Sequence, residues 1–211
     1  MKSGLFITFE GPEGAGKSTQ VELLRRALAA LDPIVTREPG GTPVGEGIRD
    51  LLLHSGLDMA PEAEMLLFMA SRAELVAQVI GPALAAGRIV IADRYHDTTL
   101  AYQGGARGVP TWWPESFPRP DRTFLLDLPA ESGLERVRRS GRAADRLESE
   151  ALAFHRAVVA AYRRLADAEP QRWVRLDAAC PPQEVHAAVM ASLAGLLPAP
   201  PVGTPPPATR P

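Results

Sequence analysis

The chain alternates short apolar runs with segments of helical periodicity, and this alternation constrains its fold more than any other feature. Five apolar runs predict strands, at residues 5–9, 34–36, 88–92, 124–128 and 173–176. Helical patterns lie between and after them, at residues 21–31, 62–80, 132–139, 148–167 and 183–197. Strands separated by helices require βαβ crossovers, which make the strands parallel and place helices on both faces of the sheet. The sequence therefore predicts a three-layer α/β/α fold around a five-stranded parallel sheet.

Length and composition fit one domain followed by a tail. The 211 residues suffice for a sizeable core, and 45% of them are hydrophobic and 23% charged. We predict one domain over residues 1–197. Seven of the last fourteen residues are proline, and this segment has little apolar surface to bury. We therefore predict a disordered tail at residues 198–211; a proline-rich ligand for a partner protein is the alternative.

Composition also argues against several classes of protein. No window approaches the ~18 uninterrupted apolar residues of a membrane span, and the start lacks the long apolar stretch of a secretory signal. The formal net charge of −2 argues against general binding of nucleic acid. The lone cysteine, Cys180, has no partner for an intramolecular disulfide. We therefore expect a cytoplasmic protein without membrane or nucleic-acid partners.

Lysine is scarce in this chain. Only Lys2 and Lys17 are lysines among the 23 basic residues, and the other 21 are arginine. A coding bias of the genome is a sufficient explanation of the count. The position of Lys17 is more informative, because residues 11–18 match the phosphate-binding loop G-x-x-x-x-G-K-[ST]. The match lies between a predicted strand and a predicted helix, which distinguishes it from an ordinary glycine-rich turn.

A phosphate loop implies a nucleoside triphosphate and its metal. Glycines allow backbone N–H groups to turn toward phosphate oxygens, and the next helix adds its N-terminus. We expect Lys17 to reach the β and γ oxygens and Ser18 to bind Mg²⁺. The predicted ATP-binding residues are Gly11, Pro12, Glu13, Gly14, Ala15, Gly16, Lys17, Ser18 and Thr19.

Three classes of protein use such a loop: molecular switches, motor or regulatory ATPases, and kinases for small acceptors. The guanine-specific motif of switch GTPases, N/T-K-x-D, contains a lysine, and neither lysine here lies in one. Motor ATPases usually end a strand with paired acids, whereas Asp93 is followed by Arg94. Asp93 is suited to hold Mg²⁺ through water and Arg94 to hold transferring phosphate charge; a salt bridge at the strand end is the alternative. The pattern favours a small-acceptor kinase.

Arginines gather again around Gly141, after the fourth predicted strand. They are Arg136, Arg138, Arg139, Arg142 and Arg146. A basic stretch interrupted by glycine suits a mobile lid, at about residues 136–147, that closes over ATP and supplies positive charge. A solvated arginine-rich helix face is the alternative. The phosphate loop holds no arginine of its own, which favours the lid.

Six different short motifs are distributed along most of the chain. They are EGPEGAGKS at residues 10–18, TREPGGT at 36–42, FMASR at 68–72, DRY at 93–95, AYQG at 101–104 and DRLE at 145–148. In this order and spacing, over residues 5–197, they resemble the bacterial thymidylate kinase family, which makes dTDP from dTMP and ATP. The resemblance implies a phosphate-loop kinase fold with a lid, a homodimer, and Mg²⁺ with ATP as the phosphoryl donor.

The resemblance also implies an acceptor site. Phe68 and Arg72 lie four residues apart and share one helix face; the family implies that Phe68 stacks on thymine and Arg72 donates to its O4. A core phenylalanine with a surface arginine is the alternative. Tyr102 is implied beneath the deoxyribose, where it leaves no room for a 2′-hydroxyl. The implied dTMP-binding residues are Glu13, Arg37, Glu38, Pro39, Arg49, Phe68, Arg72, Arg94, Thr98, Thr99, Tyr102 and Gln103.

Within this set the family implies further roles. Glu13 is implied at the 3′-hydroxyl of the acceptor. Three arginines are implied at its phosphate: Arg37, Arg49 and Arg94. The bond between Glu38 and Pro39 is often cis in the family, and sequence alone leaves the isomer open.

Two segments depart from the family pattern. Ser140 stands where an arginine is expected, so the lid arginine that acts in catalysis is expected to be Arg139 or Arg142. The predicted catalytic residues are Lys17, Arg94, Arg139 and Arg142. Residues 109–119 are shorter than in the family and broken by proline. Trp112 and Trp113 are expected either to cover core there or to lie at an altered surface or subunit contact.

Two other functions are compatible with these patterns. One is a kinase for another acceptor, such as dUMP, dCMP or a nucleoside. The other is a regulator that hydrolyses ATP without an acceptor. ADP formation with and without dTMP separates them from a dTMP kinase.

Overall fold

Five parallel strands form one sheet in the computed structural model, which describes residues 4–141 and 143–198. The strands are β1 (Leu5–Glu10), β2 (Ile34–Arg37), β3 (Ile89–Asp93), β4 (Arg122–Asp127) and β5 (Trp173–Asp177). Their order across the sheet is β2-β3-β1-β4-β5. Nearly continuous apolar runs form such strands because helices cover both faces. The predicted three-layer α/β fold is confirmed.

Helices lie on both faces of the sheet. The α-helices are α1 (Lys17–Ala27), α2 (Pro43–Leu53), α3 (Pro61–Leu75), α4 (Gly81–Ala85), α5 (His96–Thr99), α6 (Ala130–Arg139), α7 (Leu152–Ala168) and α8 (Pro182–Leu193). The π-helical segment Val76–Ile80 joins α3 to α4, and a second one, Leu100–Ala106, continues α5. A 3₁₀ turn at Ala29–Leu31 follows α1. Three helices begin with proline, which suits this position because the first N–H of a helix has no partner within it.

The core consists of apolar side chains on the two faces of the sheet. Phe9 packs in one cluster with Leu24 of α1 and Val189 of α8. Phe6 packs on the opposite side with Leu75 of α3. Odd and even residues of β1 therefore face different layers, as a pleated strand requires. Since burial of a large apolar side chain stabilises a fold by about 1.5–3 kcal/mol, this doubly covered strand anchors the sheet.

The sheet brings the ends of β1 and β3 together. All five strands are parallel, so their carboxyl ends lie at one edge. The order of strands reverses at β1, and ligands of such sheets bind in the crevice at that point. Phe9 pairs with Asp93 in the register of β1 and β3. The phosphate loop that follows β1 therefore lies beside Asp93 and Arg94.

Several element boundaries differ from the predictions. The strands agree to within two residues, but α7 begins at Leu152 and not at residue 148. The reason is a turn in which the backbone N–H of Asp145 donates to Glu148 Oε2 at 3.0 Å and that of Glu148 donates to Asp145 Oδ1 at 2.9 Å. Helix α8 ends at Leu193 and not at residue 197. Helices α2, α4 and α5, with the π-helical segment after α5, were absent from the prediction.

The short segment at residues 109–119 covers part of the core through one of its two tryptophans. Trp113 packs edge-on against His96, with ring centres 4.6 Å apart, and its indole N–H donates to the carbonyl oxygen of Phe117 at 3.0 Å. The guanidinium of Arg172 lies 5.5 Å from the centre of the Trp113 ring. Trp112, in contrast, is half exposed. Of the two alternatives that the sequence left open, Trp113 therefore follows the first and covers core, whereas Trp112 follows the second and lies at the surface.

The predictions about a membrane span, the tail and Arg142 have different outcomes. Across residues 4–141 and 143–198, no helix is long and apolar enough to cross a membrane. The predicted tail, apart from Pro198, lies outside the described residues, and so does Arg142.

Candidate active site

A cavity of about 630 Å³ lies at the carboxyl edge of the sheet, beside the phosphate loop. It brings together most of the residues predicted to form the site. Those that line it are Glu13, Gly14, Gly16, Lys17, Ser18, Thr19, Arg37, Glu38, Pro39, Arg49, Phe68, Asp93, Arg94, Thr98 and Tyr102. Predicted residues that do not line it are Gly11, Pro12, Ala15, Arg72, Thr99, Gln103 and Arg139.

The phosphate loop turns between β1 and α1 on glycines. Gly14 has φ 68° and Gly16 has φ 91°, a left-handed backbone that glycine adopts without strain. A Cβ added to Gly14 would overlap the backbone of Gly133, near the start of α6. The loop is therefore packed directly against α6. Gly16 leads into α1, whose free N-terminal N–H groups suit a phosphate.

Lys17 lies at the first position of α1 and is nearly buried. Its Nζ donates to the carbonyl oxygens of Gly11 at 3.0 Å and Pro12 at 2.8 Å. Burial and the neighbouring charge of Arg94 lower the pKa of Lys17 to about 8, although Glu13 acts in the opposite direction. A pKa near 8 leaves most of the ammonium group charged at pH 7, as a phosphate ligand requires.

Ser18 and Asp93 form the part of the site suited to a metal ion. The hydroxyl of Ser18 donates to Asp93 Oδ2 at 2.7 Å. Both are hard oxygen ligands, and Mg²⁺ commonly takes one or two such groups, with water and substrate phosphates filling its other positions. The part of the chain that the structure describes holds no cluster of three His, Cys, Asp or Glu side chains arranged for a metal. A magnesium site here therefore depends on phosphate oxygens as well.

Arg94 and Glu13 form an ion pair beside the phosphate loop. Arg94 Nη2 donates to Glu13 Oε1 at 2.7 Å, and the hydroxyl of Tyr102 donates to the same oxygen at 2.7 Å. Burial acts to raise the pKa of Glu13, but Arg94 and Lys17 outweigh it and lower the pKa to about 2. Glu13 is therefore ionised at neutral pH, and its charge holds the guanidinium of Arg94 in place.

Two further arginines reach the cavity from the elements on either side of the loop after β2: Arg37 ends β2, and Arg49 belongs to α2. Arg49 Nη1 donates to the carbonyl oxygen of Pro39 at 2.9 Å. Arg37 pairs with Glu46 at 2.8 Å, and both side chains are about half exposed. The peptide bond between Glu38 and Pro39 is cis, which answers the question that the sequence left open.

A helical wall, consisting of Phe68, Thr98 and Tyr102, closes another side of the cavity. Phe68 comes from α3, Thr98 from α5, and Tyr102 from the π-helical segment that follows α5. The guanidinium of Arg94 lies 5.2 Å from the centre of the Tyr102 ring. An aromatic wall beside a cationic group provides a surface for a flat, uncharged ring next to an anionic group.

Arg72 is buried behind the helical wall. Its side chain is 1% exposed. Its Nε donates to Glu38 Oε2 at 2.7 Å, and Nη1 donates to Thr99 Oγ1 at 2.8 Å. Its Nη2 donates to the carbonyl oxygen of Tyr95 at 3.1 Å. A surface arginine, the alternative that the sequence left open, is therefore wrong, and donation to a base requires one of these bonds to open.

Two other polar groups, Glu38 at the cavity and Gln103 behind the wall, are also hydrogen-bonded to protein groups. Burial raises the pKa of Glu38 to about 7, against the lowering effect of Arg72. Gln103 is fully buried and its Nε2 donates to Glu64 Oε1 at 2.9 Å. Of the residues predicted to contact the base or sugar, the structure therefore brings Phe68 and Tyr102 to the cavity and leaves Arg72, Thr99 and Gln103 behind it.

Helix α6 carries one arginine of the predicted lid to the cavity. Arg136 lines the cavity, and its Nη1 donates to the carbonyl oxygen of Ala178 at 3.0 Å. Arg139 is exposed and does not line the cavity. Helical spacing explains the difference: Gly133 contacts the phosphate loop, and Arg136 and Val137 follow it one turn later on the same face. The sequence shows this spacing, but the contact between Gly133 and the loop, which selects Arg136, is known only from the structure.

Arg146 belongs to the protein interior and not to the lid. Its Nε donates to the carbonyl oxygen of Leu52 at 2.7 Å, and its Nη2 donates to Glu64 Oε2 at 2.5 Å. Glu64 is 1% exposed and also accepts from Arg107 at 2.8 Å. The interpretation of Arg146 as lid charge is wrong, because its guanidinium neutralises a buried carboxylate.

The cavity also contains residues outside the predicted sets of catalytic, ATP-binding, dTMP-binding and metal-binding residues, although five of them lie in the predicted lid. They are Leu53, Arg136, Val137, Ser140, Asp145, Leu147 and Glu148. Three of them belong to the DRLE motif, which the sequence singled out without a role. Leu53 lies at the end of α2, a helix whose glycines at positions 45 and 47 hide its periodicity.

A smaller cavity of about 120 Å³ adjoins the phosphate loop on the side of α8. It is lined by Ala15, Gly16, Thr19, Gln20, Arg136, Ala178, Cys180, Pro182 and Val185. Gln20 Nε2 donates to the carbonyl oxygen of Pro182 at 2.8 Å and so ties α1 to α8. Gly16, Thr19 and Arg136 line both cavities, which therefore meet at the loop.

Known proteins share both the sequence and the fold of this chain. A sequence model of the family described as thymidylate kinase matches residues 9–189. The chain belongs to the thymidylate kinase family. The matched residues include the phosphate loop, the helical wall and helix α6.

Individual thymidylate kinases are similar over almost the whole chain. The thymidylate kinase of Thermomicrobium roseum is 52% identical over 197 residues, which cover 89% of this chain and 93% of that protein. That of Pseudomonas entomophila is 51% identical over 205 residues, covering 92% and 97%. The crystal structure of thymidylate kinase from Ehrlichia chaffeensis matches with a TM-score of 0.71 at 29% identity, covering 91% of this chain and 99% of that one.

Proposed function

We propose that this ATP-dependent dTMP kinase holds ATP on the phosphate loop and dTMP against the helical wall. One observation carries the proposal: a single cavity is lined by Lys17 and Ser18 of the loop and by Phe68 and Tyr102 of the wall. Arg94 lines the same cavity and contacts Tyr102. The two substrates would therefore meet within reach of one guanidinium.

The donor side follows from the loop. The triphosphate would accept hydrogen bonds from the loop N–H groups and the N-terminus of α1. Lys17 would exchange its bonds to the carbonyl oxygens of Gly11 and Pro12 for the β and γ phosphate oxygens. The smaller cavity, bounded by Gln20 and Pro182, adjoins the loop and offers space for the base of ATP.

Ser18 and Asp93 would hold Mg²⁺, Ser18 directly and Asp93 through water. Their mutual hydrogen bond supports this assignment, because it brings both oxygen atoms to one point beside the loop. When bound, the ion neutralises charge on the β and γ oxygens.

The acceptor side follows from the wall and the arginines. Phe68 would stack on thymine, and Tyr102 would pack beneath the deoxyribose. Glu13, which already accepts from the hydroxyl of Tyr102, would accept from the 3′-hydroxyl. The acceptor phosphate would then lie among three guanidinium groups that line the cavity: Arg37, Arg49 and Arg94.

Transfer then requires positioning and charge neutralisation. A phosphate oxygen of dTMP forms a bond to the γ-phosphorus while the bond to the bridging oxygen breaks, and ADP leaves with that electron pair. The acceptor is already ionised, so no general base is needed. Lys17 and Arg94 would neutralise the transferring group, joined by Arg136, which lies nearer than Arg139. A role for Arg142 stays a prediction.

We also infer a cytoplasmic homodimer. The family resemblance supports the dimer, and so do Leu51 and Leu66, which are exposed on the neighbouring helices α2 and α3. Light scattering after size exclusion should give twice the chain mass, and Leu66→Arg should halve it. A monomeric mass for the unmodified protein would contradict the inference.

The cytoplasmic location is supported by Cys180. Its exposed thiol is consistent with a reducing compartment.

The acceptor assignment is tested by ADP formation across a panel of acceptors. The purified chain is incubated with MgATP and dTMP, dUMP, dCMP, UMP, CMP, thymidine or no acceptor. We expect fast ADP release with dTMP and little without an acceptor. Preference for UMP or CMP would overturn the base assignment, and equal rates with and without dTMP would overturn the kinase reaction.

A further inference from the structure

Glu10 is a buried carboxylate that the proposed reaction does not use. It is the last residue of β1, directly before the phosphate loop, and is 0% exposed. It does not line either cavity described above. A charged group without access to substrate must act through its neighbours, if it acts in the reaction at all.

Three hydrogen-bond donors converge on this carboxylate. Oε1 accepts from the backbone N–H of Tyr95 at 2.7 Å. Oε2 accepts from the hydroxyl of Thr98 at 2.6 Å and from that of Tyr162 at 2.8 Å. Burial of a carboxylate is unfavourable unless such bonds compensate it. An apolar side chain would fill this space without the desolvation cost of a carboxylate. Packing alone therefore does not explain why a carboxylate is present.

The donors link Glu10 to both ends of Arg94. Arg94 has φ 69°, which is a strained conformation for a residue with a side chain. Its N–H donates to Phe9 O at 3.0 Å, and the next N–H, that of Tyr95, donates to Glu10. Its guanidinium Nη1 donates to the hydroxyl of Tyr162 at 3.2 Å, and this hydroxyl donates to Glu10 in turn.

The carboxylate of Glu10 is ionised at alkaline pH, although its surroundings raise its pKa. Burial and the neighbouring charge of Asp97 raise the pKa of Glu10 to about 7, while Thr98, Arg94 and Tyr162 act to lower it. Above this value the carboxylate accepts from all three donors. A glutamine amide in its place would have one oxygen and one NH₂ group. If the oxygen accepted from Tyr95 N–H, the NH₂ group would face the hydroxyls of Thr98 and Tyr162, which would then have to accept hydrogen bonds.

We propose that Glu10 is a positioning residue that fixes the strained backbone and the guanidinium of Arg94 for phosphoryl transfer. This inference rests on the proposed role of Arg94 at the acceptor phosphate. Glu10 does not contact substrate. It affects the rate by holding Arg94 in place through the backbone N–H of Tyr95 and the hydroxyl of Tyr162.

Kinetics of Glu10→Gln at about pH 8 test the proposal. Because a small displacement of a catalytic group lowers the rate strongly, we expect kcat to fall by about tenfold or more, with the KM for ATP within about threefold of the original. A kcat within about twofold of the original would overturn it. The dTMP-dependent activity of the unmodified enzyme is measured alongside, so that failure of the proposed function shows in that enzyme and not in the variant.

Asp97→Asn is the matched control for a general loss of structure. Asp97 is equally buried, and its carboxylate accepts from Arg172 at 2.6 and 2.9 Å. At a temperature below the melting point of both variants, we expect its kcat to stay within about twofold of the original. An equal loss of kcat in Asp97→Asn would overturn the special role of Glu10.

Tyr162→Phe tests the route to Arg94. It removes the hydroxyl between Glu10 and Arg94 and keeps the ring. If both residues act on the same guanidinium, the double variant should be little slower than Glu10→Gln alone. Independent, multiplicative losses would contradict transmission through this hydroxyl.

Discussion

The phosphate loop and the helical wall line one cavity but are built in different ways. The loop is a single stretch, residues 11–19, in which glycines and Lys17 take their positions from one turn. The wall is assembled from separate helices, and Arg72 and Gln103 behind it are bonded to other protein groups. Geometry is therefore local in the loop, whereas in the wall it depends on how distant segments pack.

The largest expected effect comes from breaking the loop. Because Lys17 is the one loop side chain that brings positive charge to the transferring phosphate, Lys17→Ala should lower kcat by about 1,000-fold. The measurement is the initial rate of dTMP-dependent ADP formation. Near-normal turnover of this variant would mean that the loop does not hold ATP.

Arg26→Ala is the control for this prediction. Arg26 is exposed on the same helix and pairs with Glu22 at 2.6 Å. Surface pairs of this kind contribute little, so the variant should keep kcat within about twofold of the original.

A smaller effect, and a different one, is expected behind the wall. If Arg72 opens one of its bonds to reach thymine O4, Arg72→Ala should raise the KM for dTMP by about tenfold or more, because a hydrogen bond from a charged group is worth about 1.5–3 kcal/mol. The KM for ATP should change little. Equal effects on both KM values would remove the base-reading role.

The same variant also reports on packing. Without Arg72 the carboxylate of Glu38 loses its buried partner, a change that typically costs about 3–5 kcal/mol of stability. Thermal unfolding of Arg72→Ala should therefore show a clearly lower Tm. An unchanged Tm would contradict the buried ion pair.

Helix α6 provides a comparison between two arginines on one element. Arg136 lines the cavity, and Arg139 does not. Since charge-assisted contacts contribute about 1.5–3 kcal/mol, Arg136→Ala should lower kcat/KM for ATP by about tenfold. Arg139→Ala should stay within about twofold. The reverse order would show that the lid rearranges when nucleotide binds and brings Arg139 to the phosphates.

The smallest expected effect concerns carboxylates with opposite pKa shifts. The pKa of Glu13 is lowered to about 2, whereas that of Glu38 is raised to about 7 from its ordinary value of 4.5. Between pH 4.5 and 7 the folded protein holds the Glu38 proton more tightly than the unfolded chain does. Stability from Glu38 is therefore fully present below pH 4.5 and is lost as pH rises to 7. The stability contributed by Glu13, whose pKa is lowered, is fully present and constant in this window, and is lost only as pH falls below 4.5.

The test is the pH dependence of Tm in Glu38→Gln. Relative to the unmodified protein, the variant should gain about 5–10 °C in Tm between pH 5 and 7.5, because the destabilising ionisation is absent. Glu115→Gln, at an exposed position, should show no such trend. A difference that stays constant with pH would contradict the raised pKa of Glu38.

Patterns that are local in sequence predicted the fold well. Each strand is a short apolar run that needs cover on both faces, and such a run predicts its own structure. The start of α7 was misjudged because Asp145 and Glu148 form a turn with their own backbone, which competes with a helix. Helix α2 was missed because Gly45 and Gly47 weaken its helical pattern.

The site shows the same division. Lys17, Ser18 and Asp93 lie together because a motif and a strand end fix them. The environments of Arg72 and Arg146, in contrast, depend on buried carboxylates from other elements, and no spacing in the sequence indicates which carboxylate a guanidinium will meet. An arginine side chain is long enough to reach any of several carboxylates. The partner that it binds therefore depends on how the elements pack and not on the position of the arginine in a motif.

Transfer of labelled phosphate tests the central claim most directly. The purified chain is incubated with Mg²⁺, dTMP and ATP that carries a radioactive γ-phosphate, and the products are separated. If the loop holds ATP and the wall holds dTMP in one cavity, all of the label that leaves ATP should appear in dTDP, in equal amounts with ADP. Label in inorganic phosphate, at a rate that does not depend on dTMP, would contradict it.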